Sequence, residues 1–280
     1  MSLTNDFLQS FLFENSDVRG RVVRLQKSIH TIMEQHDYPS FIRGILGELL
    51  VAAVLLSSTL KYEGQLTLQF QGEGALKMLV AKCNHLGEIR GLAQWDKDVD
   101  AEQLKTAFFS GRLIITLENK RDDQRYQSIV EINHKTIAEA IETYFRQSEQ
   151  IPTKIILGND KDHFAGLLVQ KLPSHSVEQL DFWKHVEILT STLKPEELVR
   201  WDNQRLLKNL FHEENVRLFN IEPVIFSCVC SEEKSKNTLR LLGQKESLDY
   251  FLTNKILTVT CEYCNKSYDF TKQDIALLFH

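Results

Sequence analysis

Along most of the chain, alternation of apolar and polar positions marks strands. Leu66, Leu68 and Phe70 alternate with Thr67 and Gln69, the Gly72-Glu73-Gly74 turn follows, and Leu76, Met78 and Val80 resume the pattern, which predicts a hairpin. Further strands are predicted over Glu88 to Ala93, Arg112 to Glu118, Tyr126 to Ile132, Ile155 to Leu157 and Gly166 to Lys171. Before the hairpin, Ile42 to Leu60 is apolar nearly all round, the signature of a central buried helix. Asp6 to Phe13 fits a short helix or a strand. Val18, Val22, Leu25, Ile29, Ile32 and Met33 fall close to helical spacing over Val18 to Gln35, where both periods remain open. His36-Asp37-Tyr38-Pro39 is a break, because the proline biases Tyr38 to extended backbone. Glu139 to Glu149 reads as an amphipathic helix. The sum is an α+β domain with a mostly antiparallel sheet and packed helices.

The texture changes after Pro173. From Leu180 to Phe219 the pattern predicts short amphipathic helices, with Leu180, Trp183 and Val186 on one stripe, a restart at Pro195-Glu196-Glu197, and Leu206, Leu207, Leu210 and Phe211 beyond it. Such helices are unstable alone and must lie against a neighbour. They either complete the core or cover an adhesive surface. After Pro223 come a short strand at Val224 to Phe226, a helix at Glu232 to Leu242 closed by Gly243, a strand at Ile256 to Thr260, and a last helix capped by Thr271 with Asp274 three residues on. The expected organisation is an α+β core over residues 1–175, a helical linker over 176–222 and a small terminal domain over 223–280.

Composition narrows the function. The 280 residues carry a net charge of -5, and from Cys228 to His280 seven Lys/Arg balance seven Asp/Glu, so no cationic footprint for nucleic acid is present. Arg43 and Glu48 interrupt the apolar run, so no membrane span is expected. Met1 to Phe13 lacks a basic region followed by an apolar core, so no export signal is expected and a cytoplasmic location follows, with reduced thiols. Neither a P-loop nor a dinucleotide glycine pattern occurs.

Four of the five cysteines form two pairs, Cys228-Val229-Cys230 and Cys261-Glu262-Tyr263-Cys264. Two short pairs, each offering two thiolates from one turn, suit a tetrahedral Zn²⁺ site. Asn265 tolerates the left-handed backbone on which such turns end. A bridge within the first pair would close a small, strained ring, and strained bridges are labile, which suits a switch better than a staple. Three alternatives stand beside a switch: an inert structural zinc site, a pair of structural disulfides, and a thioredoxin-type redox enzyme. Cys83 reads as a packing residue. His212-Glu213-Glu214 lacks a second histidine at ligand spacing and reads as a solvated helix end; His30, His36, His85, His134, His163, His175, His185 and His280 are scattered and take no role.

The cysteine pattern, placed after an α+β domain and a helical linker, resembles the bacterial redox-regulated holdase chaperones, the heat-shock proteins of thirty-three kilodaltons. The likeness spans nearly the whole chain and includes Phe11-Leu12-Phe13-Glu14-Asn15, Val18-Arg19-Gly20, His36-Asp37-Tyr38-Pro39, Glu48-Leu49-Leu50-Val51-Ala52, Gln71-Gly72-Glu73-Gly74, Tyr144-Phe145, Ser148-Glu149-Gln150-Ile151-Pro152 and Phe211-His212-Glu213-Glu214. Ala75, where the family commonly has proline, and Asn265, where it has glycine, depart from the pattern without removing a ligand. The resemblance implies a cytoplasmic, ATP-independent chaperone of the stress response and no enzyme. It implies one Zn²⁺ on Cys228, Cys230, Cys261 and Cys264 in a reduced, inactive state. Oxidation would form Cys228–Cys230 and Cys261–Cys264 disulfides, release zinc, unfold the terminal region and favour a homodimer that holds unfolding client proteins. The resemblance names no client surface. The rival readings are a constitutive zinc-ribbon interaction module and a thiol oxidoreductase.

Overall fold

The computed structural model describes residues 6–59, 63–121, 124–173 and 177–279. The predicted helix end at Leu60, the expected boundary at 175/176, and His175 and His280 lie outside them. The chain divides into two compact units, Met1–Phe226 and Ser227–His280.

The larger unit opens with strands β1 (Phe7–Phe13) and β2 (Val18–Leu25), then helices α1 (Lys27–Met33) and α2 (Ser40–Ser57). The ambiguous stretch from Val18 to Gln35 is therefore a strand followed by a helix. The helix start is set from a distance: the N-cap residue, Gln26, makes no side-chain cap, and the buried Asp6 carboxylate instead accepts the backbone N–H groups of Gln26 (2.6 Å), Lys27 (3.0 Å) and Ser28. Strands β3 (Gly64–Gln71), β4 (Leu76–Asn84) and β5 (Glu88–Trp95) form the predicted hairpin and its continuation. A helix not anticipated from the pattern, α3 (Ala101–Phe109), follows, started by a capping box between Asp100 and Gln103. Next come β6 (Arg112–Asn119), β7 (Arg125–Glu131), α4 (Ile137–Tyr144), β8 (Thr153–Asn159) and β9 (Phe164–Lys171). The predicted helix to Glu149 changes to a π-helical turn over Phe145–Glu149 and ends on a left-handed Gln150 (φ 55°).

Helices α5 (Val177–Ser191), α6 (Pro195–Arg200) and α7 (Asn203–Leu210) occupy the amphipathic stretch, but its end is a strand, β10 (Val216–Pro223), which continues into β11 (Ile225–Phe226). Pairing with β1 overrides the helical reading of Val216 to Phe219. Two sheets result. One runs β10-β1-β2-β9-β8, antiparallel throughout; the other runs β11-β5-β4-β3-β6-β7, antiparallel except for the β11–β5 pair.

Helix α2 lies between the sheets, packed on β2, β8 and β9 of one and on β3, β4 and β5 of the other. It is long and apolar enough to cross a bilayer, but 72% of it is buried inside the protein, the position of a core helix. The opposite face of the five-stranded sheet carries a second core. Phe11, Phe13, Val18 and Val22 meet Trp183, Val186, Leu198, Leu207 and Phe211 there, with the Phe13 and Phe211 rings edge to face at 4.9 Å. Leu180 does not join that stripe: its side chain is 45% exposed.

The smaller unit contains α8 (Glu232–Leu242), α9 (Gln244–Asp249), β12 (Leu257–Thr260), β13 (Ser267–Phe270) and α10 (Lys272–Leu278). As predicted, Gly243 (φ 99°) ends α8, and Thr271 and Asp274 form a capping box on α10. The pattern had not shown α9. Four buried apolar residues, Leu239, Leu257, Phe270 and Ile275, make up its core.

Candidate metal centre

Two backbone devices bring the cysteines together. The first pair sits on chain without regular secondary structure just ahead of α8, whose N-cap Ser231 accepts the Lys234 N–H (3.2 Å), while the Lys234 ammonium donates to the Val229 carbonyl between the two cysteines (2.6 Å). The second pair turns the β12–β13 hairpin. The Cys261 carbonyl accepts N–H groups from Cys264 (3.3 Å) and Asn265 (2.8 Å), the Cys261 N–H donates to Lys266 (2.9 Å), and Asn265 takes the left-handed backbone (φ 53°).

All four Sγ atoms lie within 4.8 Å of one another, with Cys228–Cys261 at 3.7 Å and Cys230–Cys264 at 3.4 Å. Four sulfurs placed about 2.3 Å from a common centre in a tetrahedron are about 3.8 Å apart. The donor set and its spacing therefore fit a closed Zn²⁺ site, and no other group of three or more potential ligands occurs among the described residues. Each sulfur is half-buried.

The thiols differ electrostatically. The Tyr268 hydroxyl donates to Cys230 Sγ at 3.2 Å, which lowers the Cys230 pKa to about 7 and raises that of Tyr268 to about 12. Burial pushes Cys228 up to about 12 and raises Cys264. Cys230 thus becomes a thiolate before Cys228 or Cys264, from which a metal must displace protons. Tyr268 was not identified from the sequence. Its place follows only from the hairpin register, which sets it opposite Val259.

Cys83 stands apart on β4, buried, its thiol pushed up to about 12 by burial, which is the unreactive packing role expected of it. His212 lies 3.7 Å from Glu213, and Glu214 pairs with His185 at 3.3 Å, so His212-Glu213-Glu214 gathers no metal-ligand set.

The model of the Hsp33 protein family matches residues 6–271. The chain belongs to the Hsp33 family. Similar proteins include the 33 kDa chaperonin of Shewanella sediminis, 40% identical over 99% of this chain and 96% of that protein. Another is the 33 kDa chaperonin of Nitrosococcus oceani, 40% identical over 98% of this chain and 94% of that one. A crystal structure of the 33 kDa chaperonin from Thermotoga maritima superposes with a TM-score of 0.81, covering 97% of each chain at 23% identity, and shows the same α+β fold. As a member of the Hsp33 family the chain is a chaperone and not an enzyme.

Proposed function

We propose that this chain is a redox-regulated holdase, silent while its four thiols are reduced and bound to Zn²⁺. The observation that carries the reading is the conjunction of a tetrahedrally spaced four-cysteine site with a unit whose core has only four buried apolar residues. Cys228, Cys230, Cys261 and Cys264 would hold the ion. When bound, Zn²⁺ supplies a cross-link between two loops that the unit's own apolar core is too small to replace.

Oxidation removes those ligands. Each disulfide forms as two thiolates give up two electrons to a peroxide, which takes two protons from solvent and is reduced to two waters; a hypochlorite-type oxidant is reduced by the same two electrons to chloride and water. The within-pair bridges Cys228–Cys230 and Cys261–Cys264 are the pairing we favour, on the family resemblance; the cross-pair sulfurs lie at 3.7 and 3.4 Å, and all four lie within 4.8 Å of one another. With its cross-link lost, the small unit unfolds, disorder spreads along the chain to the helices from Leu180 onward, and the apolar faces they cover bind exposed apolar segments of unfolding cytoplasmic proteins. No ATP is used, and the oxidised form is a homodimer.

The deciding experiment measures zinc content and suppression of client aggregation together, before and after warm peroxide treatment, with disulfides mapped by non-reducing peptide analysis. Zinc release in step with new activity is expected. Retention of zinc under oxidant would favour the constitutive zinc-ribbon module, and catalytic turnover of a disulfide substrate the oxidoreductase.

A further inference from the structure

We propose that Arg24 is a polar clasp that fixes the α6–α7 corner on the five-stranded sheet, and that opening it frees those helices while the four-cysteine unit stays folded. Arg24 lies on β2, on the face that carries Val18 and Val22. Its Nε donates to Asn203 Oδ1 at 2.7 Å, its Nη1 to the carbonyls of Leu198 (3.0 Å) and Val199 (3.3 Å), and its Nη2 to the carbonyl of Trp201. Those carbonyls come from the last turn of α6 and its C-cap, where the helix has no internal donor left to offer. One planar guanidinium thus terminates one helix and holds the first residue of the next.

The network runs further. Asn203, 6% exposed, donates from Nδ2 to Gln9 Oε1 on β1 (2.8 Å), and Gln9 Nε2 donates to the Phe219 carbonyl on β10 (2.9 Å). Arg24, Asn203 and Gln9 therefore tie α6, α7, β2, β1 and β10 together. The rest of the contact is made by Leu198, Leu206, Leu207 and Leu210, which gain from burial but impose no direction. Polar partners that must all be met at once give this corner its register.

The clasp is also built to open. Burial lowers the Arg24 pKa to about 10, so the side chain keeps its charge at neutral pH, yet among the described residues no carboxylate lies within ion-pair distance of it. Its charge is met at hydrogen-bond range by carbonyls and one amide oxygen, with the Asp202 carboxylate favouring it from farther away. On release water can take over all these groups, so the clasp resists sliding more than it resists departure.

The consequence for activity rests on the holdase reading above, whereas the clasp itself does not. The test is hydrogen exchange on the reduced, full-length Arg24→Met protein beside the wild type. Expected is exchange at least about tenfold faster at α6 and α7, because four part-buried acceptors lose their donor, with protection unchanged in α2 and in residues 227–279. Asn203→Leu, which leaves Arg24 in place, should move the same amides by less; it carries the test if Arg24→Met fails to fold. Wild-type protection at α6 and α7 in the folded variants overturns the proposal, as does equal loosening of the cysteine unit. Client aggregation is followed on oxidised wild type in parallel. If that sample fails to protect clients, the holdase reading falls and the exchange result still decides the clasp.

Discussion

Around α2, Leu46, Leu49, Leu50 and Leu55 are fully buried between two sheets, with dozens of apolar neighbours completing the same core, whereas residues 227–280 bury Leu239, Leu257, Phe270 and Ile275 and leave Leu241, Leu252 and Leu277 at 90%, 82% and 75% exposure. In the first unit the chain is held by area removed from water, distributed over so many side chains that no one of them decides the outcome. In the second, four thiols gather within 4.8 Å of one another beside a small apolar core. The contrast teaches where a chemical signal can act: a thiol reagent has almost no purchase on the large unit, whose lone cysteine is buried and protonated, but in the small one it meets four half-buried thiols.

The largest expected effect separates the two directly. Removing the metal with a chelator, or replacing Cys261 and Cys264 by serine, should abolish exchange protection at Leu239, Leu257, Phe270 and Ile275 while α2 stays protected, since structural zinc contributes about 10–16 kcal/mol at neutral pH. If the small unit kept its protection, the comparison would be wrong. Leu50→Ala, a cavity between the sheets, should lower the stability of the large unit by about 2–5 kcal/mol in denaturant titration and leave zinc affinity unchanged. Asp6→Ala removes the remote cap of α1 and should cost about 0.5–2 kcal/mol in the same titration, again confined to the large unit.

The smallest effect tunes the site itself. In the metal-free site the Cys230 pKa is lowered to about 7, so protons begin to compete with a metal for that sulfur as pH falls through it, and zinc binding should weaken on acidification. Tyr268→Phe removes the hydroxyl donor, moves the Cys230 pKa back toward that of an ordinary thiol, and should shift zinc release to higher pH. An unchanged release curve would show that the tyrosine does not tune the site.

What could be read from the sequence was what the chain encodes locally. The Gly72-Glu73-Gly74 hairpin, the α8 stop at Gly243, the Thr271–Asp274 cap and the two close cysteine pairs each depend on residues a few places apart. The ambiguous or missed parts mostly depend on distant partners. The start of α1 is defined by Asp6, far upstream, so the helical spacing of Val18 to Met33 hid a strand. Strand β10 was read as helix because its ladder partner is β1, at the other end of the unit, and because a register shift opposite Gln9 to Phe11 breaks its alternation. Tyr268 became visible only once β12 and β13 were paired. Helix α3 is different: its start is local, a capping box between Asp100 and Gln103, in a stretch flanked by two strand signals.

The segment from Val216 to Phe226 is stitched into both sheets, as β10 beside β1 and as β11 beside β5, with the Val224 and Ile225 N–H groups donating to Asp6 and Gly87 at 2.9 and 3.0 Å. Chain disorder travelling backward from the cysteines must unzip that seam before it arrives at α7. On the holdase reading proposed above, the seam is therefore a firebreak: whatever oxidation does to residues 227–279 reaches α7 only when this pairing parts.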